Sequence, residues 1–386
     1  MEIYLVGGAV RDRILGLPIK EKDWCVVGSS PEEMKKRGFQ SVGKDFPVFL
    51  HPETKEEYAL ARTERKIKPG YHGFDFNTSK NVTLLEDLKR RDLSINAMAI
   101  DKNDNLIDPY NGLDDINQKK LRHVSKAFDE DPVRVLRTAK FAARFYQLGF
   151  SVHADTQKIM KSISDDGELD HLVSDRVWKE MEQALSGDDP HVFFITLQNC
   201  GALIKLFPEL YINKDTKIKH GFSALKKIAN HSYDPAVNFS AFIYDIEREK
   251  TSDDDEMQIN FQKTIDSLKK RLPIPRRFSE VSSIFIKYKK ILDEAESLEA
   301  KSILELLEDS DAFRRTERFN IVLDAYSILD TEKKNQNMFK RIAKIIVACN
   351  NVQTKKIIYD ETNPRKIREK ISQERIRLIS REINKG

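Results

Sequence analysis

Hydrophobic and polar positions alternate in short runs over the first part of the chain and then change to a longer period. Four apolar runs have the length of strands, and helical spacing lies between some of them. The strand-like runs are 3–6, 24–27, 48–50 and 58–61, and the helical segments are 10–15 and 31–36. This mixture predicts a small unit of sheet and helices at the start of the chain.

From about residue 128 the pattern is helical almost throughout, and stretches such as 282–288 mix core and charged faces. We therefore predict an α+β protein with four parts. They are a head of mixed sheet plus helices (1–127), a helical neck (128–186), a helical body (187–300) and a helical tail (301–386). Within the head, residues 66–83 are rich in Gly, Asn, Ser and Pro without a clear period, which predicts a loop.

Charge and cysteine content exclude several classes of protein. The 66 Lys and Arg exceed the 62 Asp and Glu by only four, so a surface that binds a polyanion must be local. The sequence has no apolar run of about 18 residues and no basic leader, which predicts a cytoplasmic protein without a membrane span. The three cysteines lie far apart, unlike a disulfide framework or a CxxC metal site.

The basic residues outnumber the acidic ones near the end of the chain. This segment could be a solvated terminal helix, or a tail that touches RNA phosphates with salt-sensitive affinity. Its bases are Arg365, Lys366, Arg368, Lys370, Arg375, Arg377, Arg381 and Lys385, against Glu369, Glu374 and Glu382.

A glycine pair joins the first predicted strand to the first predicted helix. Gly7 and Gly8 would let backbone N–H groups approach an anion, and Arg11 could then contact a phosphate oxygen. An ordinary strand–turn–helix joint explains the same residues.

Two carboxylates precede the second predicted strand. Residues i and i+2 of a strand share a face, so Glu21 and Asp23 would lie side by side. Paired oxygen ligands suit Mg²⁺ that also contacts a triphosphate, and two such ions can activate a hydroxyl and neutralise pyrophosphate. A charged turn entering a strand is the alternative.

A third charged segment covers residues 90–97. Arg91 could pair with phosphate, while Asp92 and Asn96 would lie on one helix face and bond ribose hydroxyls. A surface capping pattern explains these residues as well.

The fourth segment begins the predicted neck. Asp131 followed by Pro132 is typical of a helix start, and Arg134, Arg137 and Lys140 follow at helical spacing. Asp131 could accept from an exocyclic amino group while Arg134 donates to a ring nitrogen. Cytosine and adenine offer that arrangement, whereas guanine and uracil present the opposite polarity.

Together these segments resemble the bacterial class II tRNA nucleotidyltransferases, the CCA-adding enzymes. The resemblance is close over residues 1–184. It rests on YLVGGAVRD at 4–12, DFPVFL at 45–50, EYALARTER at 57–65, RRD at 90–92, DPY at 108–110 and EDP at 130–132.

The resemblance implies a polymerase-β-like head and the addition of C, C and A to tRNA 3′ ends from CTP and ATP. It implies Mg²⁺ at Glu21 and Asp23, and contact with the tRNA acceptor arm. The residues that it implies for nucleotide contact are Gly8, Arg11, Arg91, Asp92, Asp131, Arg134, Arg137 and Lys140. It gives no sign of an obligate protein partner. Two residues depart from the family pattern: Glu21 replaces the usual Asp, and Lys140 replaces an Arg, which loses the planar fork.

A larger departure concerns the HD-type phosphohydrolase domain that similar bacterial enzymes often carry. His220 and Asp245 stand at plausible places for its metal ligands, but Tyr244 replaces a histidine, and no histidine follows His231. A phenol is no equivalent of an imidazole ligand, so we expect a degenerate scaffold without phosphohydrolase activity.

Three other functions compete with complete CCA addition. They are a poly(A) polymerase, an enzyme that adds only A or only CC, and a catalytically silent RNA-binding protein. The retained carboxylate pair argues against the silent protein, since a binding module does not need metal ligands.

Overall fold

The computed structural model describes residues 1–42, 48–66, 74–210, 222–231, 234–293, 295–330, 333–352 and 363–384. The chain forms two compact units, one of residues 1–184 and 192–208, the other of 185–191 and 209–386. The first holds every described strand, and the second is helical in its described part. The α+β class is therefore confirmed, while the borders predicted inside these units stay predictions.

The head is built on a mixed seven-stranded sheet of order β3-β4-β5-β2-β1-β8-β9. Within it, β2 and β5 are parallel and the other neighbours antiparallel. Two small pairs lie outside this sheet, β6 with β7 and β10 with β11. The strands are β1 (Glu2–Val6), β2 (Asp23–Val27), β3 (Gln40–Ser41), β4 (Val48–Leu50), β5 (Glu57–Leu60), β6 (Thr63–Lys66), β7 (Phe74–Asn77), β8 (Ala99–Ile100), β9 (Leu106–Ile107), β10 (Lys120–Leu121) and β11 (Ser151–Val152).

The first unit contains nine described α-helices, and three 3-10 helices (Ser94–Asn96, Lys126–Glu130, Glu168–His171) connect some of them. Thr83 and Glu86 form a reciprocal capping box that fixes the start of α3. The helices are α1 (Gly8–Ile14), α2 (Pro31–Lys36), α3 (Leu84–Lys89), α4 (Gly112–Asn117), α5 (Val133–Arg144), α6 (Ala154–Asp165), α7 (Ser174–Leu185), α8 (Pro190–Asn199) and α9 (Ala202–Leu206).

The second unit packs its helices around aromatic side chains such as Phe239, Phe242 and Phe285, which are fully buried. Its helices are α10 (Ser223–Ala229), α11 (Pro235–Lys250), α12 (Asp254–Arg271), α13 (Arg276–Lys287), α14 (Lys289–Asp293), α15 (Ala300–Asp309), α16 (Thr316–Leu329), α17 (Gln336–Asn350) and α18 (Pro364–Ile383). The basic segment at the end of the chain is thus a helix, α18, and it packs against α15 and α17.

The segment predicted as a loop is in part a β-ribbon, and that prediction is wrong at its ends. Strands β6 and β7 pair antiparallel from Thr63 opposite Asn77 to Lys66 opposite Phe74. The Arg62 guanidinium lies 5.9 Å from the centre of the Phe76 ring. Residues 67–73, between the strands, lie outside the described part.

Among the described residues, no helix is long and apolar enough to cross a membrane. The three cysteines are buried free thiols.

Candidate active site

The sheet register brings two features, a carboxylate pair and a glycine turn, to one edge of the head. Asp23, the first residue of β2, pairs with Val6 at the end of β1, next to Gly7. Glu21 lies two residues before β2, so the prediction that it shares a strand face with Asp23 is wrong. It still lies close enough to raise the pKa of Asp23.

Asp23 stands at a cavity of about 200 Å³, which Arg62, Arg90 and Arg91 also line. Its side chain is exposed, but the surrounding walls remove part of its water. This desolvation raises the pKa of Asp23, Arg91 opposes the rise, and Glu21 adds to it. Among the described residues, neither Glu21 nor Asp23 has a hydrogen-bond or ion-pair partner. Two uncompensated carboxylates of this kind fit a hard divalent cation such as Mg²⁺.

Glu57 is a third carboxylate at this position, and sequence reasoning did not single it out. It is the direct partner of Asp23 in the parallel β2–β5 pair, and it lines the same cavity. Paired residues of parallel strands point to the same face. Its place in the EYALARTER motif was a signal, but only the register shows that it adjoins Asp23.

An ion-pair cluster forms the cationic wall of the cavity. Asp87 accepts from Arg90 at 2.7 Å and from Arg91 at 3.1 Å. Burial would raise the pKa of Asp87, but the two guanidinium groups outweigh it and lower the pKa to about 2. Arg91 Nε is buried without a hydrogen-bond partner in the described part of the chain. Arg91 therefore retains donor capacity beside Asp23.

The glycine turn makes room for this arginine. Gly7 has a φ of 72°, in the left-handed region, and a Cβ built on it would lie 2.9 Å from Arg91 Nη1. A Cβ on Gly8 would lie 3.3 Å from Arg11 Nη2. The left-handed backbone of Gly7 and its close approach to Arg91 favour glycine there, whereas Gly8 only lies close to Arg11. The contact of both glycines with nucleotide stays a prediction.

Arg11 is itself buried and bonded within the protein. It donates from Nε to Asp12 at 2.9 Å and from Nη1 to Asn96 at 2.5 Å. Its guanidinium also lies 4.9 Å from the centre of the Phe145 ring. The contact of Arg11 with a phosphate stays a prediction, because the described structure commits the group to these partners.

The RRD segment is not the α-helix that the spacing of Asp92 and Asn96 predicted. Only Ser94–Asn96 is helical, as a single 3-10 turn. Asn96 Nδ2 nevertheless donates to Asp92 Oδ1 at 3.0 Å, and Arg137 Nε donates to Asp92 Oδ2 at 2.7 Å. Burial would raise the pKa of Asp92, but Arg137 and these hydrogen bonds hold it well below its usual range. The ribose contacts of Asp92 and Asn96 stay a prediction.

Helix α5 begins at Val133, one residue later than predicted, and Asp131 lies just before it. Asp131 accepts from the Val133 N–H at 3.2 Å, as a capping residue does. It also accepts from Arg176 at 3.1 and 2.7 Å. Arg134 is buried and donates to the carbonyl oxygens of Ala127 and Arg90. Asp131 and Arg134 lie three residues apart in sequence, but their side chains are held by different partners.

Helix α7 supplies partners that sequence reasoning missed. Arg176 binds Asp131, Glu180 binds Lys140 at 2.5 Å, and Gln183 accepts from Lys140 at 2.7 Å. These three positions are spaced i, i+4 and i+7, which marks one face of a helix. That spacing was the available signal, but it does not show which surface the face contacts.

The head and neck have the arrangement of a nucleotidyltransferase, and comparisons with known proteins extend this to a family. A model described as "Poly A polymerase head domain" matches residues 3–122, and one described as "Probable RNA and SrmB- binding site of polymerase A" matches 149–212. The multifunctional CCA protein of Legionella pneumophila strain Paris is 42% identical over 99% of this chain and 98% of its own.

Two further matches agree. A CCA-adding enzyme of Coxiella burnetii strain RSA 331 is 43% identical over 92% of this chain and 88% of its own. The solved structure of the Thermotoga maritima CCA-adding enzyme complexed with tRNA shares the fold. Its TM-score is 0.68 at 20% identity, over 99% of this chain and 90% of that one. The chain belongs to the family of CCA-adding enzymes, the tRNA nucleotidyltransferases, and its head is polymerase-β-like.

Proposed function

We propose that this protein adds C, C and A to the 3′ end of tRNA, using CTP and ATP without a nucleic-acid template. One observation carries the proposal. Glu21 and Asp23 form a carboxylate pair without a protein partner among the described residues, beside Arg91, in a chain that belongs to the CCA-adding family. A silent RNA-binding protein would have no use for this uncompensated charge.

In the proposed mechanism, Glu21 and Asp23 hold Mg²⁺. When bound there, Mg²⁺ neutralises charge on the triphosphate and favours deprotonation of the tRNA 3′-hydroxyl. Arg91, whose Nε lacks a partner among the described residues, binds a triphosphate oxygen. Phosphoryl transfer depends mainly on such positioning, so the chain needs no nucleophilic side chain.

Asp131 and Arg134 read the base in this proposal. Asp131 accepts from the amino group of cytosine or adenine, and Arg134 donates to the neighbouring ring nitrogen. Asp131 must then share or release Arg176, and Arg134 must exchange its carbonyl partners for the base. Arg137 and Lys140 contribute by holding Asp92 and the α7 face in place.

The region around Asp245 does not fit the metal centre of an HD phosphohydrolase, and we propose that this activity is absent. Asp245 uses both carboxylate oxygens to accept the N–H groups of Ala224 and Leu225, at 3.0 and 2.8 Å. Tyr244 occupies the adjacent position, and its ring lies 5.8 Å from the Lys289 ammonium. His220 lies outside the described residues. Asp245 therefore caps helix α10, and both of its oxygens are engaged in holding the fold.

The tail helix α18 completes the proposed tRNA contact, in the cytoplasm. Arg375 and Arg377 pair with Glu308 and Glu374. Among the other basic residues, Arg365, Lys366 and Arg368 lie near the start of α18 and are exposed. We propose that they bind phosphates of the acceptor arm.

The test uses three tRNA transcripts, ending before the tail, after one C and after two C, each given single nucleoside triphosphates. Complete CCA addition predicts CTP use on the first two transcripts and ATP use on the third. Use of ATP on all three would indicate a poly(A) polymerase. Use of CTP on the first two without ATP on the third would indicate an enzyme that adds only CC, and use of ATP on the third alone an enzyme that adds only A. No extension of any transcript would favour the silent RNA-binding protein.

A further inference from the structure

An open cavity of about 350 Å³ in the second unit combines excess positive charge with unused hydrogen-bond donors. It lies along helix α13 and reaches residues of α12, α15 and α16. Four basic and two acidic side chains line it: Lys269, Arg276, Lys287 and Arg318 with Glu280 and Asp309. A cavity of this size and charge is suited to an anionic group.

Glu280 is the centre of the charge imbalance. Arg276 donates to it at 2.8 Å, Arg315 at 2.8 Å and Arg318 at 2.9 Å. Asp311 also pairs with Arg315, at 3.6 Å, so three guanidinium groups face two carboxylates and the cluster keeps an excess of one positive charge. Of the remaining acids in the wall, Asp309 is engaged with Lys287 at 3.4 Å.

The unused donors belong to residues of the same wall. Ser279 Oγ and Arg318 Nε are buried and have no hydrogen-bond partner among the described residues. Tyr288, which also lines the cavity, is only 3% exposed, and its hydroxyl bonds Lys287. A buried donor without an acceptor is costly, and a bound oxyanion supplies an acceptor. Guanidinium groups match the geometry of phosphate oxygens, and Arg276 and Arg318 both line the cavity.

We propose that this cavity binds a phosphate group. The phosphate is either an internucleotide phosphate of the tRNA or a free phosphate ion. The tRNA source rests on the proposed function, whereas the chemistry of the cavity does not.

The test uses the full chain with Lys269→Ala/Arg276→Ala, because Lys269 is exposed and the Arg276 side chain is 86% exposed. The matched control, Lys263→Ala/Lys301→Ala, removes the same charge from exposed positions of the same unit outside the cavity wall. Each protein is titrated with tRNA lacking CCA over a range of salt concentrations, and separately with inorganic phosphate in a calorimeter. Thermal melting checks that each variant is folded.

If the cavity binds a phosphate of the tRNA, the cavity variant should bind tRNA about tenfold more weakly at 0.15 M salt. The slope of log affinity against log salt concentration should then fall by about one to two. The control should change affinity by less than about threefold. If the cavity binds a free phosphate ion, the wild type should show saturable phosphate binding and the cavity variant should lose it. The tRNA affinity of the variant should then stay unchanged. If the cavity variant matches the control in both titrations, the proposal is overturned. The phosphate titration tests phosphate binding by the cavity independently of the proposed function, even if the wild type fails to extend tRNA.

Discussion

Two carboxylate sites, one in each unit, contrast in how the protein treats their charge. At the edge of the head sheet, Asp23 and Glu21 lack partners among the described residues, and desolvation together with the Glu21 charge raises the pKa of Asp23. In the second unit, Asp245 accepts two backbone N–H groups at the start of α10. The first arrangement leaves charge for a cation to neutralise, whereas the second uses the carboxylate to complete the fold.

The contrast teaches that a carboxylate beside a cavity is not by itself evidence of a metal site. Asp245 lines a cavity of about 760 Å³, which is larger than the one at Asp23. Its hydrogen bonds, and not the size of the cavity, decide its role. The carboxylate without partners is the one available to a metal.

The largest expected effect follows from removing the head carboxylate. Asp23→Asn should reduce nucleotide addition by roughly 1000-fold or more, because transition-state charge loses several kcal/mol of stabilisation. tRNA affinity and melting temperature should stay near the wild type. Glu53→Gln, an exposed carboxylate of the same unit, is the control and should keep its activity. Single-turnover rates of Asp23→Asn within threefold of wild type would remove the basis for a functional head site.

The second effect concerns nucleotide choice in the neck. Asp131→Ala should admit UTP or GTP at least about tenfold more readily, since a misplaced or missing acceptor costs about 1–3 kcal/mol of discrimination. Arg176→Ala should give a smaller change of the same kind, because Arg176 only positions Asp131. Competition between nucleotides in single-addition assays measures the change.

A purely capping role for Asp131 predicts lower stability with unchanged selectivity. Ser125→Ala provides the comparison, since Ser125 caps the 3-10 helix at Lys126–Glu130 through the Ala127 N–H. If Asp131→Ala behaves like Ser125→Ala, the base-reading role is wrong.

The third effect tests the capped carboxylate of the second unit. At pH 5, Asp245→Ala should lower the free energy of unfolding by about 1–2 kcal/mol, the cost of losing a helix cap. Nucleotide addition at 25 °C should not change. Asp253→Ala, which removes the cap of α12, should show a similar loss in denaturant unfolding. A loss of addition without a loss of stability would contradict the structural role.

The smallest effect is the pH dependence of that loss. Desolvation raises the pKa of Asp245 to about 6 in the folded protein, against an ordinary value of 3.8. The backbone hydrogen bonds of Asp245 oppose this rise, and the charge of Glu249 adds to it. Between these values the folded state binds the additional proton, so the contribution of Asp245 to stability falls as the pH rises. Denaturant unfolding should show that Asp245→Ala costs about 1 kcal/mol less at pH 7.5 than at pH 5. A cost that grows with pH would contradict this burial.

The sequence was sufficient for the fold class, the family and the helical character beyond residue 128, because these depend on periodicity and on motifs in order. It was insufficient for local geometry. The register that sets Glu57 beside Asp23 and the 3-10 turn after Asp92 both depend on contacts between distant segments. The helix-forming spacing at 92–96 was overridden because the backbone there bonds a distant segment: the Ser94 N–H donates to Arg122 O at 2.8 Å and the Val124 N–H to Asp92 O at 3.2 Å. The partners on α7 were hidden for the same reason.

One experiment tests the contrast between the two carboxylates directly. Wild type, Asp23→Asn and Asp245→Asn are assayed side by side for nucleotide addition to tRNA with Mg²⁺, and for hydrolysis of a 2′,3′-cyclic nucleotide with Ni²⁺. We predict that Asp23→Asn alone loses addition and that none of the three proteins hydrolyses the cyclic nucleotide. Ni²⁺-dependent hydrolysis by the wild type that Asp245→Asn eliminates would contradict the account, because Asp245 would then be a metal ligand.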